Sequence, residues 1–152
     1  HANRAAEKLR HEKQKCRLIT VFIRSNKYSS RVKQIYASKH INLIHPTDDS
    51  RIIVKSANQI LDMIYSQGYE YSKAGIRLDD FVSNFGYQMS LFDKTADTKS
   101  SERLMEVVDQ IKLREIAKIG FGNQGVRNTW RMKREMKSKR YTTNINEIPL
   151  VK

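Results

Sequence analysis

Apolar and polar positions along the chain change period several times, and each change predicts an element. Residues 4–15 are charged and free of helix breakers, with Ala5, Ala6 and Leu9 on one side, which predicts a helix. Residues 17–24 (RLITVFIR) concentrate Ile, Val, Phe and Thr, the content of a strand with substance on both faces. Serines, Asn26 and basic residues over 25–33 predict an exposed loop. A second strand, residues 39–44, stops at Pro46, where Thr47, Asp48, Asp49 and Ser50 offer capping side chains to a helix. Ile53, Ala57, Ile60, Leu61 and Ile64 recur in that helix, and Gly68 sits where a left-handed residue would end it. Residues 69–78 alternate. Ala74, Ile76 and Leu78 share one face, and Lys73, Gly75 and Arg77 the other, so this strand has one wet, basic side.

The order helix, strand, strand, helix, strand predicts an α+β fold. In a split βαβ layout the sheet buries one face under two helices and leaves the other free. That layout needs a first strand ahead of residue 1, so the stretch reads as a fragment. Residues 93–101 (DKTADTKSS) hold nothing apolar larger than Ala96 and predict a linker. Beyond it, Leu104, Val107, Val108 and Ile111 mark an amphipathic helix capped by Ser100 or Ser101. Residues 116–121 predict a strand, 126–137 a helix bearing Trp130, and 141–152 an extended end. The expected organisation is a sheet domain over 1–86, a peptide and linker over 87–101, and a small, mainly helical domain over 102–152. About fifty residues with a single tryptophan make a marginal core.

Composition narrows the class. Of 152 residues, 39% are hydrophobic and 30% charged, and no apolar run approaches the roughly 18 residues of a spanning helix. The first ten residues carry no apolar signal core, and the single cysteine, Cys16, excludes an internal disulfide framework and a cysteine zinc site. These features predict a cytoplasmic protein with no membrane partner. Lys and Arg number 29 against 16 Asp and Glu, a net charge of +13. Residues 1–39 hold +9, residues 40–92 hold −2, residues 127–140 hold +6, and the remaining stretches balance. Two separate basic blocks point to a polyanion, nucleic acid above all, because a solubility surface is served as well by mixed signs.

Candidate chemistry is sparse. Gly120, Gly122 and Gly125 match G-x-G-x-x-G, but no second strand or acidic ribose ligand follows, and the glycines read as a turn. Asp79 and Asp80 are neighbours on an extended chain, so their carboxylates diverge. His1, His11, His40 and His45 form no i, i+4 pair, and no Ser or Cys nucleophile signature is present. No catalytic residue, metal or cofactor is expected. Gln88, Ser90, Leu91 and Phe92 lie where the core should be complete. They suit an extended docking peptide, although periodicity alone favours Leu91 and Phe92 closing their own sheet. Arg127, Arg131 and Arg134 share one helical face with Lys139 and Arg140 close by, positions suited to phosphate or an acidic protein surface.

Four stretches together resemble the UmuC family of Y-family translesion DNA polymerases, whose members include the catalytic subunit of DNA polymerase V. They are Arg4-Ala5-Ala6-Glu7-Lys8-Leu9-Arg10, Pro46-Thr47-x-Asp49-Ser50, Tyr71-x-Lys73-Ala74-Gly75 and Arg140-Tyr141-Thr142-Thr143. The resemblance covers the whole chain and corresponds to the family's carboxy-terminal part, the little finger and the small domain after it. It implies a four-stranded sheet with two helices on one face, laid along primer-template DNA largely through phosphate contacts. Arg24, Lys27, Arg31, Lys33, Lys39, Lys73 and Arg77 are then the candidate contacts. It also implies that Gln88, Ser90, Leu91 and Phe92 are the peptide that docks on the replication sliding clamp, which reverses the preference drawn from periodicity. The basic block of Arg127, Arg131, Arg134, Lys139 and Arg140 would meet DNA or the family's partners, the processed UmuD dimer and the RecA filament. The palm carboxylates that hold magnesium for nucleotidyl transfer have no counterpart here, so catalysis would belong to the parent polymerase. Lys139 stands where the family tends to have proline, and residues 112–118 lack its glycine-rich turn. The competing reading is a free-standing nucleic-acid module, directed to DNA or RNA, against which stands the lack of an RRM-like aromatic strand.

Overall fold

The computed structural model describes residues 1–29, 31–83, 98–114, 119–122, 136–145 and 148. The chain divides into two compact units, His1–Lys118 and Ile119–Lys152.

The first unit opens with α1 (Ala2–His11), which buries Asn3, Ala6 and Leu9 one turn apart. This helix stops short of the predicted residue 15. Glu12 caps it and Lys13 turns into the left-handed region at φ 55°, so Gln14 and Lys15 leave the helix and pair with Ser83 and Val82. The strands are β1 (Gln14–Ser25), β2 (Tyr36–Thr47) and β3 (Tyr71–Ser83), each longer than its predicted span. The sheet order is β2-β1-β3, with β1 antiparallel to both neighbours. β2 and β3 therefore run parallel on either side of β1, and α2 (Ser50–Ile64) connects them, which is a split βαβ unit.

Burial along β1 does not follow simple alternation. Cys16 is buried together with Ile19, Val21 and Ile23 although 16 and 19 differ in parity. The register explains it: Leu18 pairs with Asn42 but Cys16 with Thr47, so a bulge re-phases the strand. Pro46 lies in that irregular stretch of an edge strand, where a missing N–H costs no ladder bond.

In α2, Asp49 is the N-cap, its side chain accepting from the Arg51 N–H at 2.7 Å. Burial alone would push the Asp49 carboxyl up, but hydrogen bonds from Arg51 and Ser101 outweigh it and hold the group below its ordinary range. Ile53 and Ile60 from α2 meet Ala6 and Leu9 from α1 over Ile19 and Val21 of β1, and these side chains form the core. Leu61, predicted on the buried face, is 36% exposed. Gly68 is left-handed at φ 87°, yet it lies beyond the cap residue Tyr65 and shapes the turn before β3 rather than the helix end.

A third helix, α3 (Thr98–Leu113), starts inside the stretch predicted as linker. Met105 and Val108 are its buried apolar residues, whereas polar contacts tie its length to the sheet domain. Arg10 donates through Nε and Nη2 to Asp109 at 2.6 and 2.9 Å, and through Nη1 to the Asp48 carbonyl and Ser50 hydroxyl at 2.7 and 2.9 Å. Lys15 reaches Glu102 at 2.6 Å, and Lys112 pairs with Glu7. Ser101, expected as a possible cap, instead donates to Asp49 and accepts from Arg51 Nη2. α3 therefore lies in the same compact unit as the sheet.

In the second unit, residues 119–121 form no strand and residues 136 and 137 are not helical. Tyr141, Thr142 and Thr143 make a turn, with the Thr143 and Asn144 N–H groups donating to the Arg140 carbonyl at 3.2 and 2.9 Å, where an extended end was expected. The rest of the predicted helix over 126–137, with Trp130, lies outside the described residues.

Candidate nucleic-acid interface

α1 and α2 pack on the face that carries Ile19 and Val21, and the register fixes what stands on the other. Side chains directly opposite in neighbouring strands share a face, so the pairings read as rows across the sheet. Tyr36, Arg24 and Lys73 form one row, followed by Ser38, Phe22 and Gly75. His40, Thr20 and Arg77 come next, then Asn42, Leu18 and Asp79.

At the centre of this open face, Phe22 lies directly on the backbone of β3. A Cβ added at Gly75 would come within 2.4 Å of the Phe22 ring, so glycine is what lets the ring settle there. The outcome is an apolar spot, Phe22 against Gly75, with Arg24 and Lys73 on one side and Arg77 on the other. Arg24 and Lys73 are exposed at one end, and neither has an ion-pair partner among the described residues. Arg77 is bound to Asp79 at 2.7 Å, with its side chain 69% exposed.

The other predicted contacts are distributed differently. Lys39 pairs with Val21 and shares its parity with Ile41 and Leu43, which pack against the core. The register thus places Lys39 on the helix-bearing side, away from Lys73 and Arg77. Lys27, Arg31 and Lys33 stand on the loop that extends the Arg24 end. That loop is organised by Gln34, whose amide nitrogen donates to the carbonyls of Asn26, Ser29 and Val32 at 2.9, 2.9 and 3.2 Å. Ser25 adds a bond from the Ile35 N–H to its hydroxyl at 2.9 Å. Gln88, Ser90, Leu91, Phe92, Arg127, Arg131 and Arg134 lie outside the described residues, and Lys139 and Arg140 are exposed in the second unit.

Sequence reasoning missed Tyr36, His40 and the Phe22–Gly75 contact. Strand alternation assigns faces only within one strand, and the relation between strands is held in the register.

The face has little means for bond chemistry. Asp79 pairs with Arg77, and Asp80, at φ 53°, lies 3.9 Å from Arg17, so the adjacent carboxylates serve separate arginines. Among the described residues no three His, Cys, Asp or Glu side chains converge as a metal site, and no helix is long and apolar enough to cross a membrane. Cys16 is fully buried, and burial pushes its thiol up to about 11, which keeps it protonated and unreactive at neutral pH.

Residues 1–91 match the impB/mucB/samB family C-terminal domain, and the chain belongs to that family. Residues 102–151 match a second family, a domain of unknown function designated DUF4113. Among individual relatives, the chain is 40% identical over 153 residues to Protein UmuC of Salmonella typhimurium strain LT2, covering 100% of this chain and 36% of that protein. Protein ImpB of Salmonella typhimurium is 39% identical over 153 residues, with 100% and 36% covered. Protein MucB of Escherichia coli is 43% identical over 149 residues, with 98% and 35% covered. The chain thus spans about a third of the length of these relatives.

Proposed function

We propose that this chain holds DNA and docks the sliding clamp for an error-prone translesion DNA polymerase that acts in cytoplasmic SOS repair and mutagenesis. The observation that carries the reading is the open sheet face, where Arg24, Lys73 and Arg77 stand around Phe22 and Gly75 opposite the helices. A sheet face with exposed cations among hydroxyl and amide side chains suits a duplex backbone, whose phosphates accept from all of these. Phosphate contacts position a duplex without reading its sequence. Family membership supports the polymerase setting, because relatives with this C-terminal domain continue well beyond the length seen here. Nucleotidyl transfer and its magnesium ions are assigned to the rest of such a polymerase, since the adjacent carboxylates of the sheet, Asp79 and Asp80, each face a separate arginine.

Duplexes of unrelated sequence should bind the chain with equal affinity, and that affinity should fall steeply as salt rises, because each neutralised phosphate releases counterions. Fluorescence anisotropy across a salt series measures both. Sequence-selective binding that is indifferent to salt would contradict the proposal.

The clamp peptide is assigned to Gln88, Ser90, Leu91 and Phe92 by their match to the Gln-x-Ser-Leu-Phe pattern. Changing Leu91 and Phe92 together to alanine should cost at least about 2 kcal/mol of clamp affinity, as loss of two apolar anchors does. The melting temperature should hardly change. A large fall in melting temperature with clamp affinity intact would instead make the pair part of the domain core. The block of Arg127, Arg131, Arg134, Lys139 and Arg140 is assigned to acidic partner surface or DNA, with the processed UmuD dimer and the RecA filament as the partners of such a polymerase.

A further inference from the structure

At the Arg24 end of the sheet, the loop after β1 meets the turn before β3, and the meeting is aromatic as well as basic. Lys33 Nζ stands 4.7 Å from the centre of the Tyr69 ring. Tyr69 lies 6.4 Å from Tyr71, and Tyr71 lies 5.5 Å from Tyr65, the rings tilted by 43° and 38°. The Tyr71 hydroxyl is fixed at both its functions, accepting from the Ser66 N–H and donating to the Ser66 carbonyl, each at 3.0 Å. Tyr65 therefore rests on a braced support and is still 58% exposed. Across the loop, Tyr28 is 89% exposed, with Lys27 Nζ 5.6 Å from its ring centre. A hollow of about 310 Å³ opens at the base of the loop between Arg24, Lys27, Gln34 and Tyr36.

These features are surplus to holding a duplex. Phosphate contacts need cations and hydrogen-bond donors but no aromatic faces, and in a duplex the base faces are stacked on one another. Exposed rings beside cations suit a strand whose bases are free to stack and whose phosphates need neutralising. The balance of charge agrees: residues 24–35 hold Arg24, Lys27, Arg31 and Lys33 and no acid, with Glu70 the one carboxylate on the facing turn. The Gln34 bonds hold the loop in place before any ligand arrives, which lowers the ordering cost of binding.

We propose that this end of the sheet binds single-stranded DNA, with bases stacked on Tyr28 and Tyr65 and phosphates held by Arg24, Lys27 and Lys33. The inference rests on the DNA-holding reading and adds a second mode to it.

The test uses the full chain, a labelled oligo(dT) of about twelve nucleotides, an abasic strand of equal length and a duplex, all at one salt concentration. Tyr28→Ala and Tyr65→Ala should each weaken oligo(dT) binding about fivefold or more, whereas Tyr28→Phe and Tyr65→Phe should stay within about twofold of the unaltered chain. Duplex affinity should be unmoved in all four variants, and the abasic strand should bind more weakly than oligo(dT). Unchanged oligo(dT) affinity in the alanine variants, or equal affinity for the abasic strand, would overturn the stacking site. Tyr28 is nearly all in solvent, so its variant keeps the test open even if Tyr65→Ala disturbs Tyr71. Loss of duplex binding in the unaltered chain, with tyrosine-dependent oligo(dT) binding intact, would count against the holding face and leave the stacking site standing.

Discussion

Replacing Ile19 by alanine should cost the sheet domain about 2 to 5 kcal/mol, the range for removing a large aliphatic side chain from a closed core. Ile19 is fully buried at the centre of the central strand, in one core cluster with Ile53 and Ile60 of α2 and Leu9 of α1. Its neighbours cannot collapse on the space, because helices above and a strand on each side hold them apart. Thr20, one residue on, points to the open face beside His40 and Arg77. Thr20→Ala should therefore change stability by no more than about 1 kcal/mol, the span of strand preference at a partly exposed site. Urea unfolding of the two variants measures the difference between the faces. Equal losses would mean that the open face is covered too, and a covered face could not hold DNA.

Much of this two-faced sheet was legible in the chain. Lys73, Gly75 and Arg77 alternate with Ala74, Ile76 and Leu78, so β3 declares its wet side without help from any neighbour. α2 declares itself through Ile53, Ala57 and Ile60 and a side-chain cap at Asp49. What stayed hidden depends on partners distant in sequence. By charge alone Lys39 belongs with Lys73 and Arg77, and only its pairing with Val21 sends it to the other face. Cys16 joins the core through a bulge set by β2, which the local pattern of β1 does not contain. The polar side chains of 98–101 predict a linker, yet Ser101 is held by Asp49 and Arg51, some fifty positions earlier. Lys13 ended α1 early by adopting a conformation that its residue type does not favour.

The candidate site was legible in part for the same reason. Net charge and the two basic blocks pointed to nucleic acid, and charge is additive along a chain. The aromatic content was not legible as a site, since Phe22 becomes a platform only when Gly75 lies beneath it. Tyr65, Tyr69 and Tyr71 likewise come together through a turn and a strand start.

The larger effect concerns DNA. Changing Arg24, Lys73 and Arg77 together to alanine should remove up to three phosphate contacts, each contributing about 0.9 to the slope of log affinity against log salt. Arg77 must leave Asp79 to reach a phosphate, so its share is the smallest of the three, and the expected fall in slope is about 2 to 3. Lys39→Ala is the internal control, because that side chain is also exposed but stands on the helix side. The most direct measurement of the central claim is therefore the salt slope of duplex binding for the unaltered chain, the triple variant and Lys39→Ala. A slope reduced by about 2 to 3 in the triple variant and unchanged in Lys39→Ala is the expected result. An unchanged slope in the triple variant, with a fall in Lys39→Ala, would contradict the account and move the DNA to the other side of the sheet.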